Sequence, residues 1–394
     1  MKRVFLFSIL LVAGLVVSQV LPGALGDGHA AVAVVIRLLT MLCLSFIMIH
    51  VGYEFEIDRG RPLSYAVDYG VAATAAAFPW IFCALYFIFV IAPPGASGSF
   101  DQWTNALLAA RFAAPTSAGI LFSMLAAAGL SATWLFRKAR VLAIFDDLDT
   151  VLLMIPLKMM IVGARWQLAV IALVMVLMLG FGWKQLHRVR LPVTWPWVLS
   201  YAAGITLVSE LIYRASKIID DVVPIHIEVL LPAFVLGCVL ARPRGTDPHA
   251  DDAREGHQEG PEYRAEQTVS TVVSGAFMVF VGLSMPRLSF AEMSVGLLVL
   301  HTLALTFLSN VGKMFPLFCY RREANWRHRL ALCIGMWPRG EVGAGVLVVS
   351  LSYGIGGMMV ASATLSLALN LLGTGFFILA VKRLISDSPS NKAP

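Results

Sequence analysis

Asp146 and Asp147 stand side by side in LAIFDDLDTVLLMIPL, an apolar run long enough to cross a membrane. A charge at the centre of a spanning helix costs roughly 2.5–3.5 kcal/mol on insertion scales, and a pair costs about twice that before repulsion is counted. Stability alone disfavours such a pair, so intramembrane carboxylates read first as an ion pathway, a proton relay or a substrate site. Helix neighbours project about 100° apart, and two adjacent carboxylates do not easily meet one small ion. One can face a site while the other turns to a partner helix. A carboxylate that holds either a proton or a cation couples the two fluxes by competition; desolvation raises its pKa and a nearby cation lowers it. Asp149 follows within a turn and stands as an accessory residue or as a contact to helix-face water.

Two other apolar segments are interrupted where a spanning helix should be continuous. RFAAPTSAGILF places Pro115, Thr116, Ser117 and Gly119 in mid-segment, and GMWPRGEVGAGV does the same with Pro338, Arg339, Gly340, Glu341 and Gly343. Helix breakers at membrane depth are tolerated where protein or water satisfies the freed backbone groups. Interrupted helices of opposite direction, in corresponding positions of two halves, point to an inverted-repeat transporter and its binding site. Half-helix ends expose backbone dipoles there, which Arg339, Glu341 and the nearby carboxylates are placed to compensate.

The elements that must carry these residues are membrane spans. The chain has 394 residues, 58% hydrophobic and only 14% charged, against about 25% charged in soluble domains. With about 20 apolar residues needed per span, about 12 spans are expected: 4–22, 32–52, 65–93, 103–131, 139–162, 166–183, 194–213, 223–241, 267–285, 291–315, 329–352 and 357–382. The whole chain, 1–394, reads as one integral membrane domain. Its first half is 1–241 and its second half 267–394, joined by a polar stretch, 242–266, expected to be a disordered cytoplasmic linker. With the N-terminus inside, 21 Lys and Arg fall in cytoplasmic segments and 4 outside, which predicts both termini in the cytoplasm. The +6 net charge therefore needs no nucleic-acid partner. MKR followed by the apolar run Val4 to Leu21 is read as a retained helix, being longer than most signal cores. The five cysteines show no metal-ligand spacing and read as packing residues.

These motifs, at their spacing, resemble the cation–proton antiporter superfamily in its paired-aspartate branch. PTSAGI and IFDDLDTVL are similar to the first broken helix and the ion-binding helix of that family, and PRGEVG to its second broken helix. SFIMIHVGYEFEID, the stretch from SELIY to GCVLA, and FMVFVGLSMP carry weaker likenesses in the right order. The resemblance implies an all-α membrane fold with inverted repeats and two discontinuous crossing helices. It implies that Asp147 is the principal ion- and proton-binding carboxylate. Asp146 is then its neighbour, which in electrogenic members pairs with a lysine of the second half. Thr116, Ser117, Arg339 and Glu341 match the polar residues of the two crossovers, the last two looking more structural than ion-binding. Lys313, in SNVGKMFP, matches a family lysine and stands as accessory. The helix at 267–285, where the partner lysine is expected, holds none, so Lys313 or Lys158 must substitute or Asp146 must hold a proton. Pro115 also replaces the small residue usual before the Thr-Ser pair.

The expectation is a secondary antiporter that exchanges Na⁺, or Li⁺ or K⁺, for H⁺ by alternating access, with no cofactor and no enzymatic activity. A homodimer in a bacterial inner membrane is implied by the same resemblance. A K⁺/H⁺ exchanger or efflux protein, and a transport-inactive sensor with the same fold, remain open. An intramembrane aspartyl protease needs its two aspartates on different helices and a GxGD segment, which this chain lacks. Glu210 reads as an acid lining an outer funnel, His50 and His301 as structural histidines. Arg37 and Arg111 are expected to snorkel or to pair with an acid, without a transport role.

Overall fold

The computed structural model describes residues 2–25, 28–53, 62–93, 95, 98–162, 166–219, 229–241, 261–285, 294–352 and 355–386. Among them the regular structure is helical, apart from an isolated bridge between Val189 and Leu240. In chain order the helices are α1 (Lys2–Leu25), α2 (His29–Tyr53), α3 (Pro62–Tyr86, prolonged by a π turn Phe87–Ile91), α4 (Phe100–Ala110), α5 (Ala118–Ala127), α6 (Trp134–Val162) and α7 (Trp166–Lys184). They continue as α8 (Trp195–Ile219), α9 (Leu230–Val239), α10 (Pro261–Leu283), α11 (Val295–Gly312), α12 (Trp326–Gly335), α13 (Glu341–Ser352) and α14 (Gly357–Ser386).

Each expected span contains a helix among the described residues, that at 223–241 being the ten-residue α9, and the two interrupted spans become the pairs α4/α5 and α12/α13. Among the described residues, eight segments are long and apolar enough to cross a membrane, from Val4–Ala24 to Gly357–Ser386. At about 1.5 Å per residue, the 25 residues of α2 or α3 exceed the roughly 30 Å hydrocarbon thickness. This is an all-α integral membrane protein. One boundary differs from expectation. Residues 261–266, assigned to the linker, form the start of α10, because a proline at the first helical position followed by EYRAEQ favours a helix. The rest of that stretch, 242–260, lies outside the described residues.

The chain divides into two compact units, the first 1–36, 58–163 and 278–394, the second 37–57 and 164–277. Within the first, α3 and α11 meet at Pro79 and Gly312, where any side chain at Gly312 would lie on the backbone of Pro79, 2.6 Å from its Cα. That approach seats the C-terminal end of α11, and hence Lys313, against α3. Gly14 and Gly282 allow a similar contact between α1 and the end of α10. Within the second unit, α2 and α9 cross at Gly52 and Gly237. Small residues that let helix backbones approach are the usual packing device inside a membrane. Glu210 of this unit, expected to line a funnel, is held by Arg37 at 2.7 Å and Arg214 at 2.8 Å; Arg37 also lies 5.2 Å over the Tyr213 ring.

Candidate functional site

The first interruption begins where α4 tightens into a 3-10 turn, Arg111–Ala113. Pro115 has no N–H to continue a helix, and the chain runs irregularly until Ser117, whose hydroxyl accepts the Ile120 amide at 3.4 Å and caps α5. The second interruption runs from Met336, at the end of α12, to Gly340, before α13. The two irregular stretches touch. The Ser117 amide donates to the Pro338 carbonyl at 3.0 Å, and the Thr116 hydroxyl to the Met336 carbonyl at 3.2 Å. Each break thus satisfies backbone groups that the other has freed. Gly340 makes the approach feasible, since a Cβ there would lie 2.8 Å from Ile120 Cδ1 and 3.1 Å from Ser117 Oγ.

Arg339 holds the crossing from one side. Its Nε donates to the Ala113 carbonyl at 3.0 Å, one terminal nitrogen to Asn310 Oδ1 at 2.8 Å and to the Trp337 carbonyl at 3.1 Å, and the other to the Ser309 carbonyl at 2.8 Å. The carbonyls of Ala113 and Ser309 belong to the ends of α4 and α11, so a buried cation sits where two negative helix ends converge. Sequence reasoning gave Arg339 the dipole-compensating role, and these contacts have that geometry.

The opposite charge sits at the positive end of α5. Asp146 Oδ2 accepts the Thr116 amide at 2.8 Å and the Lys313 ammonium at 2.7 Å. Asp146 and Lys313 both have 0% of their surface exposed. The helix at 267–285 holds no lysine, and Lys313, expected as a substitute for it, meets Asp146. The cation comes instead from Lys313, directly after α11, delivered by the close approach of Gly312 to Pro79. No periodicity could have shown it, because the two residues are 167 positions apart.

Asp149, one turn beyond Asp146 on α6, is also buried, and receives a hydrogen bond from the Tyr69 hydroxyl of α3. Arg111 does not snorkel. It is fully buried, lies 5.0 Å over the Trp80 ring and donates to the Asp149 carbonyl at 3.2 Å. Nothing in the sequence marked Asn310, Trp80 or Tyr69, which look like ordinary helix residues. Arg111 was expected to snorkel or to pair with an acid, although a charge beside a broken span was a signal for the site. Asp147 follows Asp146 on α6 and Glu341 opens α13, but their side chains, like that of Lys158, lie outside the described residues. His50 bonds the Phe46 carbonyl at 3.0 Å and His301 the Tyr86 hydroxyl at 2.9 Å, contacts of structural histidines.

Taken together, the site has two broken helices in mutual contact, a buried cation at their negative ends and a buried ion pair at a positive end. A cation and a proton can compete for a carboxylate in such surroundings. The family model described as sodium/hydrogen exchanger, transmembrane, matches residues 2–382. Comparison with the curated proteins gives no match.

Proposed function

We propose, from the premise that this chain belongs to the transmembrane sodium/hydrogen exchanger family and is therefore a cation–proton exchanger, that Na⁺ is the cation it moves. The site alternates between the two faces of the membrane and exchanges Na⁺ for H⁺. The observation that carries this reading is the occupation of Asp146 by Lys313 and the Thr116 amide. A carboxylate tied to two buried donors is poorly placed to bind and release cargo. Its neighbour Asp147, about 100° around the helix, is left as the exchanging group.

In this mechanism ionised Asp147 takes the cation, with oxygens of the crossover completing its shell. Protonation of the same carboxylate removes the negative charge and releases the cation. Because one group cannot hold both, each proton carried one way requires a cation carried the other. Asp146 and Lys313 contribute by staying paired. Their mutual neutralisation keeps the net charge of the dry site close to that of Asp147 and its cargo, so the loaded and protonated forms can both cross the barrier. The charge split of the loops supports both termini in the cytoplasm, and the family resemblance supports a homodimer in a bacterial inner membrane.

The test is dissipation of a preset pH gradient in proteoliposomes on addition of Na⁺, Li⁺ or K⁺. Na⁺ and Li⁺ are expected to collapse the gradient, and the Asp147→Asn protein to lose at least about 99% of that activity, as removal of a group essential to chemistry does. Rapid exchange by Asp147→Asn would remove that residue from the mechanism, and a response to K⁺ alone would replace the assigned cation. A clamped membrane potential during the same assay reads the charge balance.

A further inference from the structure

A second buried ion cluster lies in the same unit, away from the crossover, and joins three elements. Asp68 on α3 accepts from the Lys138 ammonium of α6 at 3.1 and 3.3 Å and from the Tyr320 hydroxyl at 2.8 Å. Lys138 also reaches Glu323 Oε2 at 3.0 Å and lies 4.4 Å over the Tyr320 ring. Trp134, the first residue of α6, donates to Glu323 at 3.3 Å and packs edge-on against Tyr320. Asp68 and Tyr320 are buried, while Glu323 is at the wet rim.

The local costs of this arrangement are notable. Buried charges lose hydration that their attraction only partly returns. Tyr320 has φ +51°, a left-handed backbone that a bulky residue rarely adopts and that carries strain. Strain at a cluster of buried charges is a reason to ask what the arrangement positions. The elements supply the answer. Lys138 is eight residues before Asp146 on α6, about 12 Å along a rigid helix. Tyr320 lies in the connection that starts at Lys313 and leads to α12. That connection is itself stiff: a 3-10 turn spans Phe315–Leu317, Arg329 of α12 donates to the carbonyls of Leu317 and Cys319, and Cys333 to that of Met314. The cluster therefore fastens the helix that carries Asp146 to the segment that carries Lys313.

We propose that Asp68 and Tyr320 are positioning residues of the exchanger, which hold α6 and the α11–α12 connection in the register that pairs Asp146 with Lys313. Burial, with Asp68 and Glu323 close by, pushes the Tyr320 phenol far above the usual tyrosine range, so it remains a donor throughout the working pH range. The transport arm of the test rests on the exchanger reading above, and the stability arm does not.

In proteoliposomes containing the full chain, Tyr320→Phe and Asp68→Asn are expected to raise the apparent KM for Na⁺ about tenfold, as misplacement of a binding group does, with the maximal rate within about threefold of wild type. A fall in maximal rate with KM unchanged would overturn the proposal. Tyr320→Phe deletes one oxygen and keeps the ring, so it serves if Asp68→Asn does not fold. The stability arm is a thermal-unfolding cycle combining Tyr320→Phe with Lys313→Met, the one in the Asp68 cluster and the other in the pair with Asp146. Positioning predicts that the paired change lowers the melting temperature by less than the two single shifts together, and additive shifts would overturn it. If the wild-type protein moves no cation, the proposed function fails while this cycle still decides the positioning role.

Discussion

Lys313 and Asp146 are each sealed from solvent, and each has value only in the presence of the other. Taking one charge out of water costs several kcal/mol, and breaking a buried pair by removing one partner typically costs about 3–5 kcal/mol, whereas replacing both with apolar or neutral groups is often close to neutral. Lys313→Met alone leaves a carboxylate with only the Thr116 amide among the two donors that meet its Oδ2; Asp146→Asn alone leaves a buried ammonium. Both single variants are therefore expected to melt well below wild type, and the Asp146→Asn/Lys313→Met double variant to recover most of the loss. Thermal unfolding of the solubilised protein checks this, and single variants as stable as wild type would show that the pair is not structural. At this scale the sequence was informative about anomaly, and it offered Lys313 and Lys158 as partners of Asp146 without deciding between them. Two aspartates inside an apolar run announce themselves by cost alone, and the lysine by its type. Their meeting depends on a glycine–proline contact between α3 and α11 that leaves no periodic trace.

Helix ends, rather than helix faces, make the site. Proline, glycine and polar residues in mid-span showed where α4/α5 and α12/α13 break, because nothing else explains such residues at membrane depth. Which carbonyls Arg339 would take was not legible, since they belong to α4 and α11, far away in the chain. The same holds for the seat of Lys313, and it can be tested through its glycine. An alanine at 312 would place its Cβ 2.6 Å from Pro79 Cα and 2.7 Å from Pro79 Cδ, atoms of a backbone and a closed ring that cannot swing aside. Gly335, at the end of α12, offers the control: the nearest atom to an added Cβ is 3.8 Å away, at Leu121. Gly312→Ala is expected to destabilise by about 1–3 kcal/mol or more, the range for overpacking a tight core, and to weaken cation binding by displacing Lys313. Gly335→Ala is expected to be neutral or slightly stabilising, since alanine is the better helix former by roughly 0.8–1 kcal/mol. Equal behaviour of the two in unfolding assays would refute the idea that the α3–α11 approach is tight.

At the scale of the molecule, the first compact unit gathers 1–36, 58–163 and 278–394, so it takes chain from both sides of 242–260. Its fastening points join the two parts: Asp146 with Lys313, Asp68 with Tyr320, Thr116 with Met336, and Arg339 with Ala113. The Lys382 ammonium, near the end of α14, adds another by capping the Ala128 carbonyl after α5 at 2.8 Å. With these buried contacts joining the two parts, covalent continuity through the polar sequence 242–260 is expected to be unnecessary once the unit has formed. A protease site engineered into that stretch makes the consequence measurable. Cleavage is expected to leave two fragments, near 1–250 and 250–394, that co-purify in mild detergent and unfold at nearly the temperature of the intact chain. The charge split of the loops adds a direction: it predicts a cytoplasmic stretch, which is expected to be cut in inside-out vesicles and protected in right-side-out ones. Fragments that separate before unfolding would mean that each half folds on its own and that the crossover contacts are weak. Cleavage from the outer face would invert the topology.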